Sequence, residues 1–270
     1  MVYFGTTTRT NVERLANKMI YVTGDTHCPT DIHKLNTANF PQQKNLTKDD
    51  TLIICGDVGI VWERGSGEDR FWQNWLNDKN CTVCFCDGNH ENFDLLYEYP
   101  VVEWNGGKVH QIRESVFHLI RGEIYTIEGK TFFVLGGAMS LDKEYRTEGK
   151  NWWSQEVPSP KELNNAFGNL EKCGWEVDYV VTHDAPSRVV GQLGFAPHNI
   201  DDTDIMRFYR FLDFIAVHLK FQCWYFGHFH KDVSLEAYSK EFVGVYNEVR
   251  PIINNYCLTL DELIMSFTKG

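Results

Sequence analysis

Eight residues of the chain have the side chains of a metal site: Asp25, His27, Asp57, Asn89, His90, His183, His228 and His230. They fall in five short stretches, and each stretch follows an apolar run. Gly24-Asp25-Thr26-His27 follows Met19-Ile20-Tyr21-Val22, and Gly56-Asp57 follows Leu52-Ile53-Ile54-Cys55. Gly88-Asn89-His90-Glu91 follows the run from Val83 to Cys86. His183 follows Tyr179-Val180-Val181-Thr182, and Gly227-His228-Phe229-His230 follows Cys223-Trp224-Tyr225-Phe226. One such match carries little information. Five runs of strand length, each ending in a metal-ligand residue, carry far more. In a parallel sheet such runs are buried on both faces, and their C-terminal ends share one rim. The eight residues are therefore expected to converge on one crevice.

Two Asp, one Asn and several imidazoles suit hard or borderline divalent metals: Mn, Fe, Zn or Mg, with Mn the first choice. Six or seven ligands exceed what one tetrahedral ion takes. They suit two ions about 3.5–4 Å apart that share a carboxylate. A water held between them would lose its proton near neutral pH and become a nucleophile. The positive charge left after neutralisation by Asp25 and Asp57 would draw in a phosphate and stabilise its oxygens during in-line attack.

The elements that must position these residues read as strand, helix, strand at intervals of about thirty residues, the signature of an α/β parallel sheet. The first strand is expected over about Lys18 to Thr23, the second over Thr51 to Cys55 and the third over Cys81 to Cys86. A short helix is expected near Asp31 to Leu35. A longer, core-facing one is expected over Glu68 to Leu76, where Phe71, Trp72 and Trp75 recur at helical spacing. From about Val101 the pattern changes to short strands: Lys108 to Ile112, Val116 to Ile120, Glu123 to Ile127 and Lys130 to Leu135. Glu128-Gly129 is a hairpin signal between the last two. A second, mainly antiparallel sheet is expected from these, extended by Val233 to Tyr238 and Phe242 to Tyr246. Ser159, Pro160 and Glu162 read as the start of a helix running to about Cys173. Residues Asp178 to Thr182 and Phe221 to Phe226 should be strands, Gly191 to Ile200 a loop and Asp201 to Leu219 a helix. The last twenty residues give no clear signal.

The bulk numbers bound the rest. The 270 residues, 43% hydrophobic and 23% charged, read as an ordinary globular chain with no linker that divides it. One domain over 1–270 is expected, with an irregular cap-like segment at about 138–160. No apolar run is long enough for a membrane helix, and the polar start lacks a signal peptide's apolar core, so a cytoplasmic location is expected. The net charge of −11 disfavours extended nucleic-acid or anionic membrane binding, but a metal site can reverse the charge locally. No protein partner can be named from the sequence. The eight Cys are expected to be reduced, and the spacing of Cys81, Cys84 and Cys86 reads as a buried strand rather than a metal or redox site. His33, His110, His118, His198 and His218 are left as structural or exposed. In the segment 138–160, Arg146 or Lys143 would contact phosphate, and Trp152 or Trp153 would stack on a base or sugar. A plain surface loop with core-packed tryptophans fits that segment equally well.

GDTH, GDVG, GNHE, THDAP and GHFH, in this order, resemble the five motifs of the calcineurin-like metallophosphoesterases, and they span Gly24 to His230. The resemblance implies a fold of two packed mixed β-sheets flanked by helices, an α/β four-layer sandwich. It implies that Asp25, His27, Asp57 and His230 hold one metal. Asp57, Asn89, His183 and His228 would hold a second, with Asp57 bridging. His90 matches the family's non-ligand histidine, which contacts the scissile phosphate and can protonate the leaving oxygen. The implied function is hydrolysis of a phosphodiester or small phosphomonoester by a metal-bridging hydroxide. In the protein Ser/Thr phosphatase branch the second motif continues Gly-Asp-x-x-Asp-Arg. Here Ile60 and Val61 stand at those two positions, which shifts weight away from a protein phosphatase. Either another group serves His90 or leaving-group protonation matters less. A non-catalytic binding module on the same scaffold is the reading from a different class. The phrase LGGAMSLDKEYR is similar to one in uncharacterised bacterial and phage members of the family.

Overall fold

The apolar runs become strands that are buried along their whole length, and they divide between the two packed sheets that the resemblance implied. The computed structural model describes residues 18–140, 142–195 and 203–252. The first sheet holds β1 (Ile20–Thr23), β2 (Thr51–Cys55), β3 (Thr82–Cys86), β4 (Val101–Trp104), β5 (Gly107–Arg113), β6 (Val116–Leu119) and the two-residue β13 (Arg250–Pro251). The second holds β7 (Ile124–Ile127), β8 (Lys130–Leu135), β9 (Tyr179–Thr182), β10 (Cys223–Phe226), β11 (Val233–Ala237) and β12 (Lys240–Gly244). The strand orders are β13-β1-β2-β3-β6-β5-β4 and β11-β12-β10-β9-β8-β7. Five α-helices are described: α1 (Gly67–Asn77), α2 (Phe93–Leu96), α3 (Pro160–Lys172), α4 (Ser187–Gln192) and α5 (Thr203–His218).

Side-chain alternation builds the layers. Ile20, Val22, Ile53, Cys55, Cys84 and Cys86 of the first sheet meet Phe132, Val134, Tyr179, Val181, Tyr225 and Val243 of the second in one buried cluster. Their neighbours along each strand point the other way. Tyr21, Leu52, Ile54, Val83 and Phe85 pack against Leu76 of α1 and the single-turn helix Ile32–Leu35. Val180, Trp224, Phe226 and Phe242 pack against apolar residues of α3, α4 and α5. The result is helix, sheet, sheet, helix. Each fully buried Leu, Ile or Phe contributes roughly 1.5–3 kcal/mol.

Local signals held where the expected chemistry was local. Glu128 (φ 52°) and Gly129 (φ 71°) form the two-residue turn between paired Ile127 and Lys130. Ser159 caps α3 through a complete capping box with Glu162, and Pro160 follows it. The second sheet differs from the expectation. It is mixed, with β8, β9, β10 and β12 parallel and only β7 and β11 antiparallel at its edges. β4, β5 and β6 form an antiparallel meander that joins the first sheet instead, with β6 parallel to β3. Tight turns reveal which neighbours pair locally. They do not reveal which distant strand completes a sheet. The helix Ser187–Gln192 takes in the first two residues, Gly191 and Gln192, of the loop expected over Gly191 to Ile200, and the part of that loop beyond 195, with His198, lies outside the described residues.

No helix among the described residues is long and apolar enough to cross a membrane. The seven described cysteines are not in disulfides. Cys84 and Cys86 face the inter-sheet core and Cys81 the outer one.

Candidate metal centre

The motif-bearing strands β1, β2 and β3 lie in one sheet, and β9 and β10 in the other, so the crevice forms where the C-terminal ends of two sheets meet. The loops that close it adopt unusual backbone. Asp25 (φ 50°), His27 (φ 33°), Asp57 (φ 51°), His228 (φ 63°) and His230 (φ 51°) all lie in the left-handed region. Residues with a side chain avoid that region, and such strain persists mainly at functional sites. Glycines allow the loops to touch. A Cβ on Gly88 would stand 2.0 Å from Asp57 Oδ1, and one on Gly56 would stand 2.3 Å from His183 Nδ1.

Main-chain hydrogen bonds join the loops to one another. Asp25 N donates to Gly56 O (3.2 Å), His27 N to Asp57 O (2.8 Å) and Gly227 N to His183 O (3.0 Å). The two carboxylates also receive backbone donors, His228 N at 3.0 Å on Asp25 and His90 N at 2.8 Å on Asp57. These contacts aim each side chain into the crevice.

Three groups of donor atoms result: Asp25, His27 and His230; His27, Asp57 and His90; Asp57, His183 and His228, with the atoms of each group within 4.8 Å of one another. Asp57 and His27 each belong to two groups, so the three form one continuous cluster. His27 Nε2 and His183 Nε2 each lie 3.3 Å from Asp57 Oδ2. His230 Nε2 is 3.5 Å from Asp25 Oδ1, and Asn89 Oδ1 is 3.3 Å from His183 Nε2. The far ring nitrogens are occupied: His27 Nδ1 by Asp31 Oδ2 at 3.0 Å, and His183 Nδ1 by Cys55 O at 2.7 Å. Tyr246 stacks flat on His230, 4.5 Å between ring centres. An outer partner on Nδ1 that leaves Nε2 facing inward is how metal-binding histidines are oriented.

The electrostatics describe a place for a cation. Asp25 and Asp57 are 0% and 2% exposed, and among the described residues neither carboxylate is paired with Lys or Arg. Burial pushes the Asp57 carboxyl up, but the His183 charge and hydrogen bond, with that of His27, hold it well below the usual carboxylate range. Burial pushes His183 down, but Asp57 outweighs it and raises the imidazole to about 10. Burial, reinforced by the His183 charge, pushes His228 down to about 3. Buried anions need a compensating charge. Here protons on histidine supply it, and a divalent cation would displace them.

The Gly-Asn-His stretch is braced from outside the motifs. Asn89 Nδ2 donates to Ser140 Oγ at 3.1 Å, which turns Oδ1 toward the cluster, and Ser140 N donates to Glu156 Oε2 at 3.0 Å. His90 Nδ1 lies 3.2 Å from Arg146 Nη1. Asp87 is fully buried and bound by Arg121 through Nε (2.8 Å) and Nη2 (2.5 Å), and by His118 Nε2 (3.0 Å). Glu91 is buried too and accepts from Val58 N at 2.8 Å, with burial pushing its carboxyl up to about 8. Sequence reasoning did not single out Asp31, Ser140, Glu156, Asp87 or Arg121 as supports. Only Asp31, four residues beyond His27, and Asp87, just before Gly88, sit close enough to a motif in sequence to leave a signal.

The segment after Gly137 contains two single-turn helices, Lys143–Tyr145 and Ser154–Glu156. Arg146 is brought to the cluster through His90. The Lys143 Nζ lies 6.0 Å over the half-buried Trp152 ring. The Trp153 ring is not brought to the cluster: it is 2% exposed, packs edge-on to Trp62 and donates Nε1 to Asp94 Oδ2 at 2.9 Å. Of the histidines left aside, His118 and His110 form a buried pair, 2.9 Å between their Nδ1 atoms.

The donor set fits divalent metal by its chemistry, by its shared aspartate and by its buried carboxylates, which among the described residues have histidine but no Lys or Arg partners. The chain resembles the crystal structure of the phosphopantetheinyl hydrolase PptH from Mycobacterium tuberculosis, at 15% identity, covering 89% of this chain and 98% of that one, with a TM-score of 0.47. It also resembles GAP50, the anchor in the inner membrane complex of Plasmodium, at 12% identity, covering 85% and 71%, with a TM-score of 0.46. Neither likeness bears on substrate. A search of curated protein sequences gave no match. The family model of the calcineurin-like phosphoesterases matches residues 18–232, and the chain belongs to that family.

Proposed function

We propose that the protein hydrolyses a phosphate ester with two divalent ions. Asp25, His27, Asp57 and His230 would hold one, and Asp57, Asn89, His183 and His228 the other. The observation that carries this reading is the continuous run of donor groups through Asp57. When bound, such a pair supplies a nucleophile at neutral pH and positive charge for the phosphoryl oxygens. The chain's own residues do the rest. Asp31 and the Cys55 carbonyl fix the rings of His27 and His183. His90 presents a ring N–H to the ester oxygens. Lys143 and Trp152 are the groups we assign to the remainder of the substrate.

The second motif supports a small ester over a phosphoprotein. Ile60 and Val61 are 0% and 3% exposed, so the positions that would carry an Asp-Arg pair are core positions here. The test is paired hydrolysis of a bis-aryl phosphodiester and an aryl phosphomonoester by the manganese-loaded protein. Turnover of either, abolished by Asp57→Asn and reduced at least tenfold by His90→Asn, is the expected result. Two bound metals with no turnover of either ester would contradict hydrolysis and leave a binding role. Full activity in His90→Asn would remove His90 from the chemistry.

A further inference from the structure

His90 has no carboxylate on its Nδ1. What stands there is Arg146, with Nη1 at 3.2 Å. A guanidinium can only donate. The Nδ1 atom must therefore accept, which leaves the ring proton on Nε2. Arg146 is itself held in place. Its Nε lies 2.8 Å from Asp142 Oδ1, and Nη1 also donates to Asn151 O at 3.2 Å. Asn151 in turn accepts from Thr147 N at 2.7 Å, and Gly149 N donates to Trp152 O at 2.8 Å, so the loop carrying the arginine is tied to itself. Trp153 anchors its far end to Asp94. The guanidinium side chain is only 19% exposed.

We propose that Arg146 is a positioning residue, which fixes His90 as the neutral Nε2–H tautomer, so that this N–H donates a hydrogen bond, without giving up its proton, to the leaving oxygen. The proposal rests on the phosphoesterase reading for its role in turnover, but not for the tautomer. It differs from a simple phosphate clamp. A clamp binds ground state and transition state alike and acts on KM. A residue acting through His90 acts on kcat, acts more on esters with poor leaving groups, and has nothing to do once His90 is gone.

Two arms test it. The first measures kcat and KM for a phenyl and a dinitrophenyl ester in wild type, Arg146→Ala, His90→Asn and the double variant. The expected result is a loss of about tenfold or more in kcat for Arg146→Ala on the phenyl ester, with KM within about twofold and a smaller loss on the dinitrophenyl ester. In the His90→Asn background, Arg146→Ala should change kcat by less than about twofold. A raised KM with unchanged kcat, or a full additional loss in the His90→Asn background, would overturn the proposal. The second arm needs no turnover. Long-range 15N–1H spectra of the magnesium-loaded protein, with the His90 ring assigned by its loss in His90→Asn, should show Nε2 protonated and Nδ1 bare, and Arg146→Ala should change that pattern. A ring protonated on Nδ1 in wild type would overturn the proposal even if the enzyme were fully active. Absence of turnover with the expected spectrum would instead count against the hydrolytic reading and leave the tautomer assignment standing.

Discussion

Replacing Arg121 with Met is expected to destabilise the fold strongly and in a pH-dependent way. Arg121 is 2% exposed. It binds Asp87 with two nitrogens, donates to the carbonyls of Gln155 and Glu156, and reaches Glu162 Oε1 at 3.3 Å. It therefore ties the residue just before Gly88-Asn89-His90 to the segment that carries Glu156. Methionine fills much of the volume but leaves Asp87, 0% exposed, without its cation. Breaking a buried pair this way costs about 3–5 kcal/mol. The lower end applies, because His118 remains 3.0 Å from Asp87 and keeps a hydrogen-bonding partner on its carboxylate. At about 2–4 °C per kcal/mol, a 3 kcal/mol loss lowers Tm by roughly 6–12 °C.

The sign of the pH effect follows from Asp87. Against burial, the Arg121 charge and the His118 contacts hold its folded-state carboxyl well below the usual range. The wild-type pair thus stabilises the protein above the unfolded carboxylate pKa of about 3.9, and this is lost as pH falls below it. In Arg121→Met the buried carboxylate, without its cation, must take up a proton instead, so the deficit should grow from pH 5 to pH 8. Urea unfolding across that range measures it. Adding Asp87→Asn to Arg121→Met should recover part of the loss, since no charge is then stranded. A deficit under about 1 kcal/mol at pH 8, or one that shrinks as pH rises, would refute the reasoning.

Three further outcomes follow from the geometry. Gly88→Ala would drive a Cβ to 2.0 Å from Asp57 Oδ1 and 2.5 Å from its backbone N; metal affinity should fall at least about 10–100-fold by calorimetry, whereas Gly129→Ala, with open space around it, should leave it unchanged. His110 is pushed down to about 4 by burial and by the His118 charge. It folds as the neutral ring, so its stabilisation is present above the unfolded pKa of about 6.5 and lost as pH falls toward 4; urea midpoints of His110→Gln should fall less steeply over that range, by up to about 1.4 kcal/mol per pH unit. Ser140→Ala removes the acceptor of Asn89 Nδ2 and should weaken metal binding about tenfold, with little change in Tm.

The site was more legible in the sequence than the fold that builds it. Asp25, His27, Asp57, Asn89, His183, His228 and His230 announce themselves because each follows a buried strand, and the structure brings them and His90 together. What the runs themselves did not reveal was which of the two sheets each strand joins. Parallel pairing such as β8 with β9 joins residues about fifty positions apart, and nothing local marks it. The supports of the site were hidden for the same reason. Ser140 and Glu156 reach Asn89, and Arg146 reaches His90, across distances that only the folded chain closes. Trp153 shows the opposite hazard. A tryptophan in an irregular polar segment invites a substrate role, yet its indole fills a core pocket beside Trp62.

Metal content tests the central claim most directly. The purified chain, incubated with manganese and freed of excess, should carry two ions per molecule by elemental analysis, and Asp57→Asn should carry fewer than one, because both proposed sites share that carboxylate. Wild-type protein that retains no divalent ion, or an Asp57→Asn variant that still retains two, would contradict the account.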